Sequence, residues 1–525
     1  MNALQAAVPS GEIVVRNPAT LQTIGSVPVC TEREITLAVG NARAAQQRWA
    51  TISIRGRMRV IQRFQQILEQ QKADVAAVIT RETGKPEAEA LSTEVLVVLE
   101  ATRFLLNSAQ GFLRPERVPH ASPAMKLKRG CLLREPWGVI GIISPWNYPF
   151  SVPAVETLTA LIAGNAVVLK PSEFTPFSSL KLQELLREAG LDPDLLQVVT
   201  GDGATGAALL QTDINKLIFT GSVATGKKVA QSAAGRLLPV VLELGGKDPM
   251  IVLEDADVEV ASSAAVWGAF MNAGQTCLSV ERCYVHESIY QKFLDRCVEK
   301  TAKLRVGNGS NDATDVGPLI HDRQLKAVRE QVDDAIARGA RLLAGGQTMP
   351  QLGANFFAPT ILAGVDHSMR IMQEETFGPV LPVCSFKTEE EAVALANGTE
   401  FGLAASIWTT DRKRGEKLAR RIDAGTVMVN DVLSCFGISE APHGGVKASG
   451  IGRTHGRLGL EEMVWPKYVD SDRMPGMKKL WWYGYGPAFA QQMAGIVELQ
   501  FSKKLMNRIK GGIKSAQSYL RRKPL

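Results

Sequence analysis

Val139-Ile140-Gly141-Ile142-Ile143-Ser144, the helix-length segment Val152–Gly164 and then Ala166-Val167-Val168-Leu169-Lys170 decide the fold. Two short, nearly continuous apolar runs separated by a helical span are what a strand, a crossover helix and a second parallel strand require. The alternation continues through Ser178–Ala189, Leu196–Thr200, Gly203–Gln211, Lys216–Thr220, Thr225–Ala234 and Pro239–Glu243. After Gly246 it resumes, with strand patterns at Met250–Leu253, Arg282–His286, Pro359–Leu362, Val380–Phe386 and Thr426–Asn430. Helices are expected between them at Val258–Met271, Glu287–Leu304, Asp322–Arg338, Glu390–Ala396 and Asp411–Ile422. The class is α/β, with two parallel-sheet units meeting near Leu244. Upstream, Ile13–Val15 and Leu21–Val29 read as strands, and Thr31–Ala50, Arg55–Thr83 and Glu87 to about Gly111 as helices.

Asn272-Ala273-Gly274-Gln275-Thr276-Cys277 follows the apolar helix and ends it with Asn and Gly, which puts the thiol on a loop. Leu242-Glu243-Leu244-Gly245-Gly246-Lys247 closes the strand pattern that begins at Leu237, where open α/β sheets place functional groups. Trp146-Asn147-Tyr148-Pro149 closes the Val139–Ser144 run and supplies a side-chain amide. A thiol, a carboxylate and an amide donor are the parts of covalent chemistry on a carbonyl. Spacing alone leaves Cys277 equally open to a structural reading, since most free cysteines are small buried hydrophobes.

The chain resembles the aldehyde dehydrogenase superfamily. The resemblance rests on Ser144-Pro145-Trp146-Asn147-Tyr148-Pro149-Phe150, Gly164 to Glu173, Phe219-Thr220-Gly221-Ser222, Leu242 to Lys247, Asn272 to Cys277 and Glu374-Glu375-Thr376-Phe377-Gly378-Pro379, in family order. It spans Pro18 to about Tyr468 and stops short of the C-terminal segment. It implies a Rossmann-like NAD-binding domain over residues 1–121 and 138–244 and a second α/β catalytic domain over 245–443. It also implies a small β oligomerisation arm from 122–137 and 458–470, and hence a homodimer or homotetramer. In the implied chemistry Cys277 adds to an aldehyde, Asn147 and the Cys277 N–H hold the oxyanion, and Glu243 activates water to release the acid. Relatives that pass the acyl group to coenzyme A generally lack that carboxylate, so Glu243 favours hydrolysis. One position departs: many members have lysine nine residues after the asparagine, and here it is Glu156.

Gly221-Ser222-Val223-Ala224-Thr225-Gly226 ends a strand and opens a helix, a place suited to a pyrophosphate and equally to an ordinary turn. The resemblance assigns Lys170, Ser172 and Glu173 to the adenine-ribose end of the cofactor. Trp146, Gly221 and Ser222 fall along the pyrophosphate, and Leu244, Gly245, Glu375 and Phe377 at the nicotinamide. A carboxylate at Glu173 would repel a 2′-phosphate, which favours NAD over NADP, while Lys170 leaves room for the latter. Val152 and Val155, placed near the substrate tunnel by the same pattern, suit a medium or long-chain aliphatic aldehyde. The motifs also fit the succinate-semialdehyde subgroup, and a non-catalytic scaffold keeping the fold is the rival of another class. Cys283 reads as core, and His443 and His455 default to structural roles because the family needs no histidine.

Seven cysteines, scattered and odd in number, argue against disulfides and a zinc site and for a reducing, cytoplasmic setting. Met1–Gly11 lacks the features of a signal peptide, and no run is long and apolar enough for a spanning helix. From Arg473 onward eleven basic residues face one acid, Glu498, a local +10 within a chain total of +7. The remainder therefore carries −3, which makes nucleic acid an unsuitable partner. The segment 471–525 reads as a basic amphipathic tail. Trp481, Trp482, Tyr483 and Tyr485 precede a stripe at every fourth residue: Met493, Val497, Phe501, Leu505, Ile509 and Ile513. Peripheral membrane contact and packing on the enzyme body are the two readings, with Gly511-Gly512 expected to interrupt the helix.

Overall fold

Val139–Ile143, buried along its whole length, is an inner strand of a six-stranded sheet in the computed structural model, which describes residues 11–479 and 481–521. Met1–Ser10, on which the signal-peptide reading rests, and the last four residues of the tail lie outside the described residues. In spatial order the strands are Gly450–Ile451, Val240–Glu243, Lys216–Thr220, Val139–Ile143, Ala166–Lys170 and Leu196–Val198. All neighbours are parallel except the short edge strand Gly450–Ile451, which runs antiparallel to Val240–Glu243. The chain builds outward from Val139–Ile143 in one direction and then returns to its other side at Lys216–Thr220. That reversal leaves a crevice at the strand ends, where Trp146 and Asn147 on one side meet Gly221 and Ser222 on the other.

The second sheet runs Arg341–Ala344, Thr360–Ala363, Val380–Phe386, Val280–His286, Asp248–Val252, Ala404–Trp408 and Thr426–Val429. Ala404–Trp408 was not expected, yet it is fully buried and pairs in parallel with both neighbours. Its first three residues, Ala404, Ala405 and Ser406, are small and show neither alternation nor β-branched bulk, so tertiary burial outweighs local propensity.

Several boundaries differ from expectation. The helix expected over Arg55–Thr83 is two, Ile54–Gln70 and Lys72–Thr83, broken at Gln71. The span from Glu87 contains a π-helical turn, Leu91–Val95, between Glu87–Ala90 and Leu96–Leu113. The extra residue of that turn aims Glu94 inward, where it is fully buried. Leu237, expected to start a buried strand, has φ +52° and is 90% exposed; the strand begins at Val240.

Both sheets belong to one compact unit, up to Arg114 and from Arg134 to Pro466. Pro115–Leu133 and the residues from Lys467 form a second unit. A three-stranded sheet is built from Glu116–Val118, Lys128–Pro136 and Val464–Asp472; the second unit holds the first strand and most of the other two, including the Lys128–Asp470 ion pair. The second unit also carries a helical hairpin, Pro487–Phe501 and Leu505–Arg521. The single stripe expected for the tail is therefore split, and the break falls at Ser502–Lys504 instead of at Gly511-Gly512. Gly511 is the point of closest approach between the two helices. A Cβ built on Gly495 would lie 2.5 Å from the Gly511 carbonyl oxygen, so the glycines let the backbones touch.

Candidate active site

The helix Val258–Phe270 is capped by Asp257, whose carboxylate accepts from the N–H groups of Glu259 and Val260. It gives way to Asn272 and Ala273 at φ +53° and +54°, followed by Gly274 at +71°. A left-handed alanine is strained and persists only where its surroundings dictate it. Here they do. The Asn272 amide donates to the carbonyls of Asn147 (2.9 Å) and Gln275 (3.1 Å), while Gln275 donates to Asn272 O and accepts from Ile320 N. The Asn147 amide donates to Gln275 O at 3.0 Å, and the Tyr148 and Thr276 hydroxyls are 2.8 Å apart. Cys277 is thus delivered from a loop bolted to the Trp146–Tyr148 turn. Burial and the neighbouring carboxyls of Asp248, Glu375 and Glu243 push its thiol well above the ordinary range.

The Trp146–Tyr148 turn has its own support. Lys85 Nζ donates to the Asn147 carbonyl at 2.8 Å and pairs with Glu94 Oε1 at 2.7 Å, both side chains fully buried. Glu94 Oε2 accepts from the N–H groups of Phe150 and Ser151 at the start of the helix Ser151–Ala163. Lys85 also lies over the Tyr148 ring, 4.1 Å from its centroid.

Glu243 ends its strand, 6% exposed, and neither carboxylate oxygen has a hydrogen-bond partner of normal geometry. Burial raises it well above the usual carboxylate range, Glu156 raises it further, and Arg453 and Thr454 oppose the rise. His443 Nε2 is 3.9 Å from Glu243 Oε2. Burial lowers His443 to about 4 and His455 to about 3, so both rings are neutral at pH 7. Phe436 stands edge-on to each. The two histidines therefore belong to the wall of the site, as uncharged aromatic groups.

These groups share a cavity of about 500 Å³. Of the residues expected at the site, Cys277, Glu243, Asn147, Trp146, Gly221, Ser222, Leu244, Gly245, Glu375 and Phe377 line it. Lys170, Ser172 and Glu173 do not; they sit at the end of the next strand, with Lys170 Nζ 3.6 Å from Glu173 Oε2 and the Ser172 hydroxyl 3.4 Å from the same oxygen. Val152 lines the cavity, whereas Val155 is buried in the core. Cys283 is buried in its strand. Ser222 caps the helix Val223–Ala234 by accepting from Thr225 N, so that helix start opens on the crevice.

On the far side, Glu375 Oε1 accepts from Gly246 N at 3.1 Å, and burial with the nearby Glu281 pushes Glu375 up to about 8. Glu281 accepts from the N–H groups of Thr376 and Phe377, each at 2.8 Å, and pairs with Lys247 at 2.6 Å. Phe377, at φ +52°, meets Trp146 edge-on with centroids 5.4 Å apart. Lys85, Glu94, Gln275 and Glu281 were not singled out in the sequence. Lys85 stands in Thr83-Gly84-Lys85-Pro86, which reads as helix punctuation, and only the folded chain shows its side chain reaching Asn147.

A parallel-sheet crevice with a helix start on one rim, and a thiol, a carboxylate and an amide on the other, is the layout of a nucleotide-dependent enzyme acting at a carbonyl. The chain belongs to the aldehyde dehydrogenase family, whose model matches residues 6–469. It is 38% identical over 456 residues, 87% of this chain and 88% of the other, to a protein of Mycolicibacterium smegmatis provisionally named succinate-semialdehyde dehydrogenase [NADP(+)]. It is also 38% identical over 497 residues, 94% of this chain and 92% of the other, to 4,4'-diapolycopene aldehyde oxidase of Methylomonas. The second alignment covers so much of the chain that it necessarily runs past Arg473 into the tail. Among solved structures, an NAD-dependent aldehyde dehydrogenase from Sinorhizobium meliloti superposes with a TM-score of 0.86 at 36% identity, covering 92% of this chain and 95% of that one.

Proposed function

We propose that this aldehyde dehydrogenase oxidises a medium or long-chain apolar aldehyde to its carboxylic acid, with NAD as the preferred cofactor. The observation that carries the substrate class is the cavity wall. Val152, Trp267, Met271, Leu278, Leu433 and Phe436 line it, and no lysine or arginine stands among the described lining residues. Its acids are Glu156, Glu243 and Glu375. A semialdehyde carboxylate entering there would be desolvated without a countercharge, an unfavourable exchange. The Methylomonas relative, named for an aldehyde of the hydrocarbon 4,4'-diapolycopene, supports the same class.

Cys277, once deprotonated, adds to the aldehyde carbon. The Asn147 amide and the Cys277 N–H stabilise the oxyanion, each donor supplying about 3 kcal/mol in comparable sites. The residues fit a dinucleotide: the capped helix start at Ser222 suits a pyrophosphate, Glu173 suits a ribose hydroxyl, and Glu375 with Phe377 flanks the thiol. A bound nicotinamide supplies the hydride acceptor. Glu243 then takes a proton from the water that cleaves the thioester. Glu173 favours NAD by repelling a 2′-phosphate, and its partner Lys170 tempers that preference.

The tail hairpin fits a peripheral contact with an anionic lipid surface. Val497, Phe501, Leu505, Met506, Ile509 and Ile513 are exposed, and Lys503, Lys504, Arg508 and Lys510 stand beside them. Such a contact would bring the enzyme to substrates that partition into lipid. Packing of the same apolar residues on another part of the assembly is the other reading.

The test is NADH formation across straight-chain aldehydes of increasing length, with succinate semialdehyde alongside. Catalytic efficiency that climbs with chain length is the expected result, and a preference for the semialdehyde would overturn the substrate class. Sedimentation with phosphatidylserine vesicles should recover the full chain and not a variant ending at Arg473. Equal recovery of both would remove the lipid contact.

A further inference from the structure

Trp267 is 49% exposed, a large aromatic left in water on the helix that leads to the Cys277 loop. Ser263, Val266, Trp267 and Phe270 fall at i, i+3, i+4 and i+7, which is one face of that helix. All four line a second hollow of about 530 Å³, together with Pro86, Ala88 and Glu89 from the other side of the chain's first helical region. Ser92, Thr93, Trp267 and Met271 line both this hollow and the reaction cavity. The first two stand in the π-helical turn Leu91–Val95, so that turn and the end of the Val258–Phe270 helix form the shared boundary.

The walls of the hollow are held in place. Thr314 to Val316 belong to a loop seated on the segment before Pro86: a Cβ built on Gly309 or Gly317 would collide with the carbonyls of Gly84 and Lys85. Its charged groups are engaged. Lys300 Nζ pairs with Glu259 Oε1 at 2.8 Å and donates to Glu259 O and Ser263 Oγ, each at 2.6 Å. Asp315 accepts from the Arg305 guanidinium at 2.8 and 2.9 Å. Burial pushes Glu89 up to about 7 against the opposing charge of Lys85, so this carboxyl is about half neutral at pH 7. The rest of the lining is mostly apolar, with Val266, Trp267, Phe270, Leu304 and Val316 the larger groups.

We propose that the second hollow receives the alkyl tail of a long aldehyde, which leaves the reaction cavity over Trp267 and Met271, and that this hollow selects for chain length. The inference rests on the proposed long-chain substrate and names where its tail lies. Space is the reason the tail leaves. The reaction cavity, about 500 Å³, is shared between the aldehyde head at Cys277 and the nicotinamide end of a dinucleotide beside Gly245, Glu375 and Phe377. From Ser263 to Phe270 the helix face runs about 10 Å along its axis, room for several methylenes. Each methylene removed from water there adds up to about fourfold in affinity. A tail in the hollow also covers the Trp267 ring, which gives the exposed aromatic a use. An anionic tail end would meet Glu89 and Asp315 with Lys300 already paired, so the site suits plain hydrocarbon.

The test compares kcat/KM for decanal with kcat/KM for butanal in the wild type, A88W and S263W. Ala88 and Ser263 are exposed and line the hollow but not the reaction cavity, so an indole at either position fills the hollow without entering the core. The decanal-to-butanal ratio should fall at least tenfold in one or both variants, mainly through a higher KM for decanal. General damage to the reaction cavity would lower both values and leave the ratio unchanged. An unchanged ratio in both variants of an enzyme that prefers decanal overturns the inference, because the tail then takes another route. Failure of the parent reading looks different: a wild type that prefers butanal has no long-chain preference to explain, and both readings go.

Discussion

Lys85 Nζ lies 2.8 Å from the main-chain carbonyl of Asn147 and holds the turn that presents the Asn147 amide to the cavity. Its charge is paired with the equally buried Glu94, and the Glu89 carboxyl also feels it. Breaking one side of such a pair leaves an uncompensated charge, at a cost of about 3–5 kcal/mol. Lys85→Met should therefore lower the melting temperature and kcat together, and adding Glu94→Gln should restore part of the stability in a double-mutant cycle. Thermal melts of the four proteins check it.

In the proposed mechanism Asn147→Ala removes one of the two oxyanion donors. We expect a loss in kcat of about 10²- to 10³-fold with a much smaller change in KM, since the donor acts where charge develops. Steady-state kinetics on one short and one long aldehyde decide it. An equal loss confined to KM would assign the amide to ground-state binding.

Glu243→Gln should separate the two half-reactions. Rapid mixing is expected to show about one NADH per site, then a steady rate reduced by at least 10²-fold, as general-base catalysis implies. A missing burst would put Glu243 upstream of hydride loss.

Cys277 rests as a thiol because burial and three nearby carboxyls oppose its ionisation. Alkylation by iodoacetamide in the absence of cofactor should be slow at pH 7 and rise about tenfold per pH unit to beyond pH 9, as a rate set by thiolate fraction requires. A rate that levels off near neutrality would mean that the folded chain already holds a thiolate.

Glu156 is pushed up to about 8 by burial, against an ordinary 4.5. A carboxyl raised by folding contributes stability that is complete below its unfolded value and is lost as pH climbs through the folded one. E156Q has no such loss. Its stability relative to the wild type should therefore grow between about pH 5 and 8, by at most about 1.4 kcal/mol per unit. Chemical denaturation at four pH values measures the difference.

The motifs that announce themselves in the sequence are those whose neighbours are close along the chain. Trp146-Asn147, Gly221-Ser222, Glu243 and Cys277 each end an element that periodicity can recognise, and all four regions line one cavity. Lys85 and Glu281 were invisible because what they do depends on partners far away in sequence, Asn147 for one and the Thr376–Phe377 amides for the other. The tail failed differently. Apolar residues at every fourth position run straight through Phe501 and Leu505, so the spacing conceals the break at Ser502–Lys504. Gly511, which reads as a helix breaker, is instead where two helices press backbone to backbone.

Gly274 bears on how the thiol is located. A methyl group added there would run into the carbonyl of Gly378, so the strand of chain before Cys277 lies flat against the run that carries Glu375 and Phe377. Gly246 is just as close on the other side, where a Cβ would sit 2.5 Å from the Cys277 carbonyl oxygen. The main chain that carries the sulfur is gauged from both faces by bare backbone, as a workpiece is between the jaws of a caliper. The depth of its Cα is set by the thickness of two peptide planes, which leaves rotation about the Cα–Cβ bond as the motion that moves the sulfur.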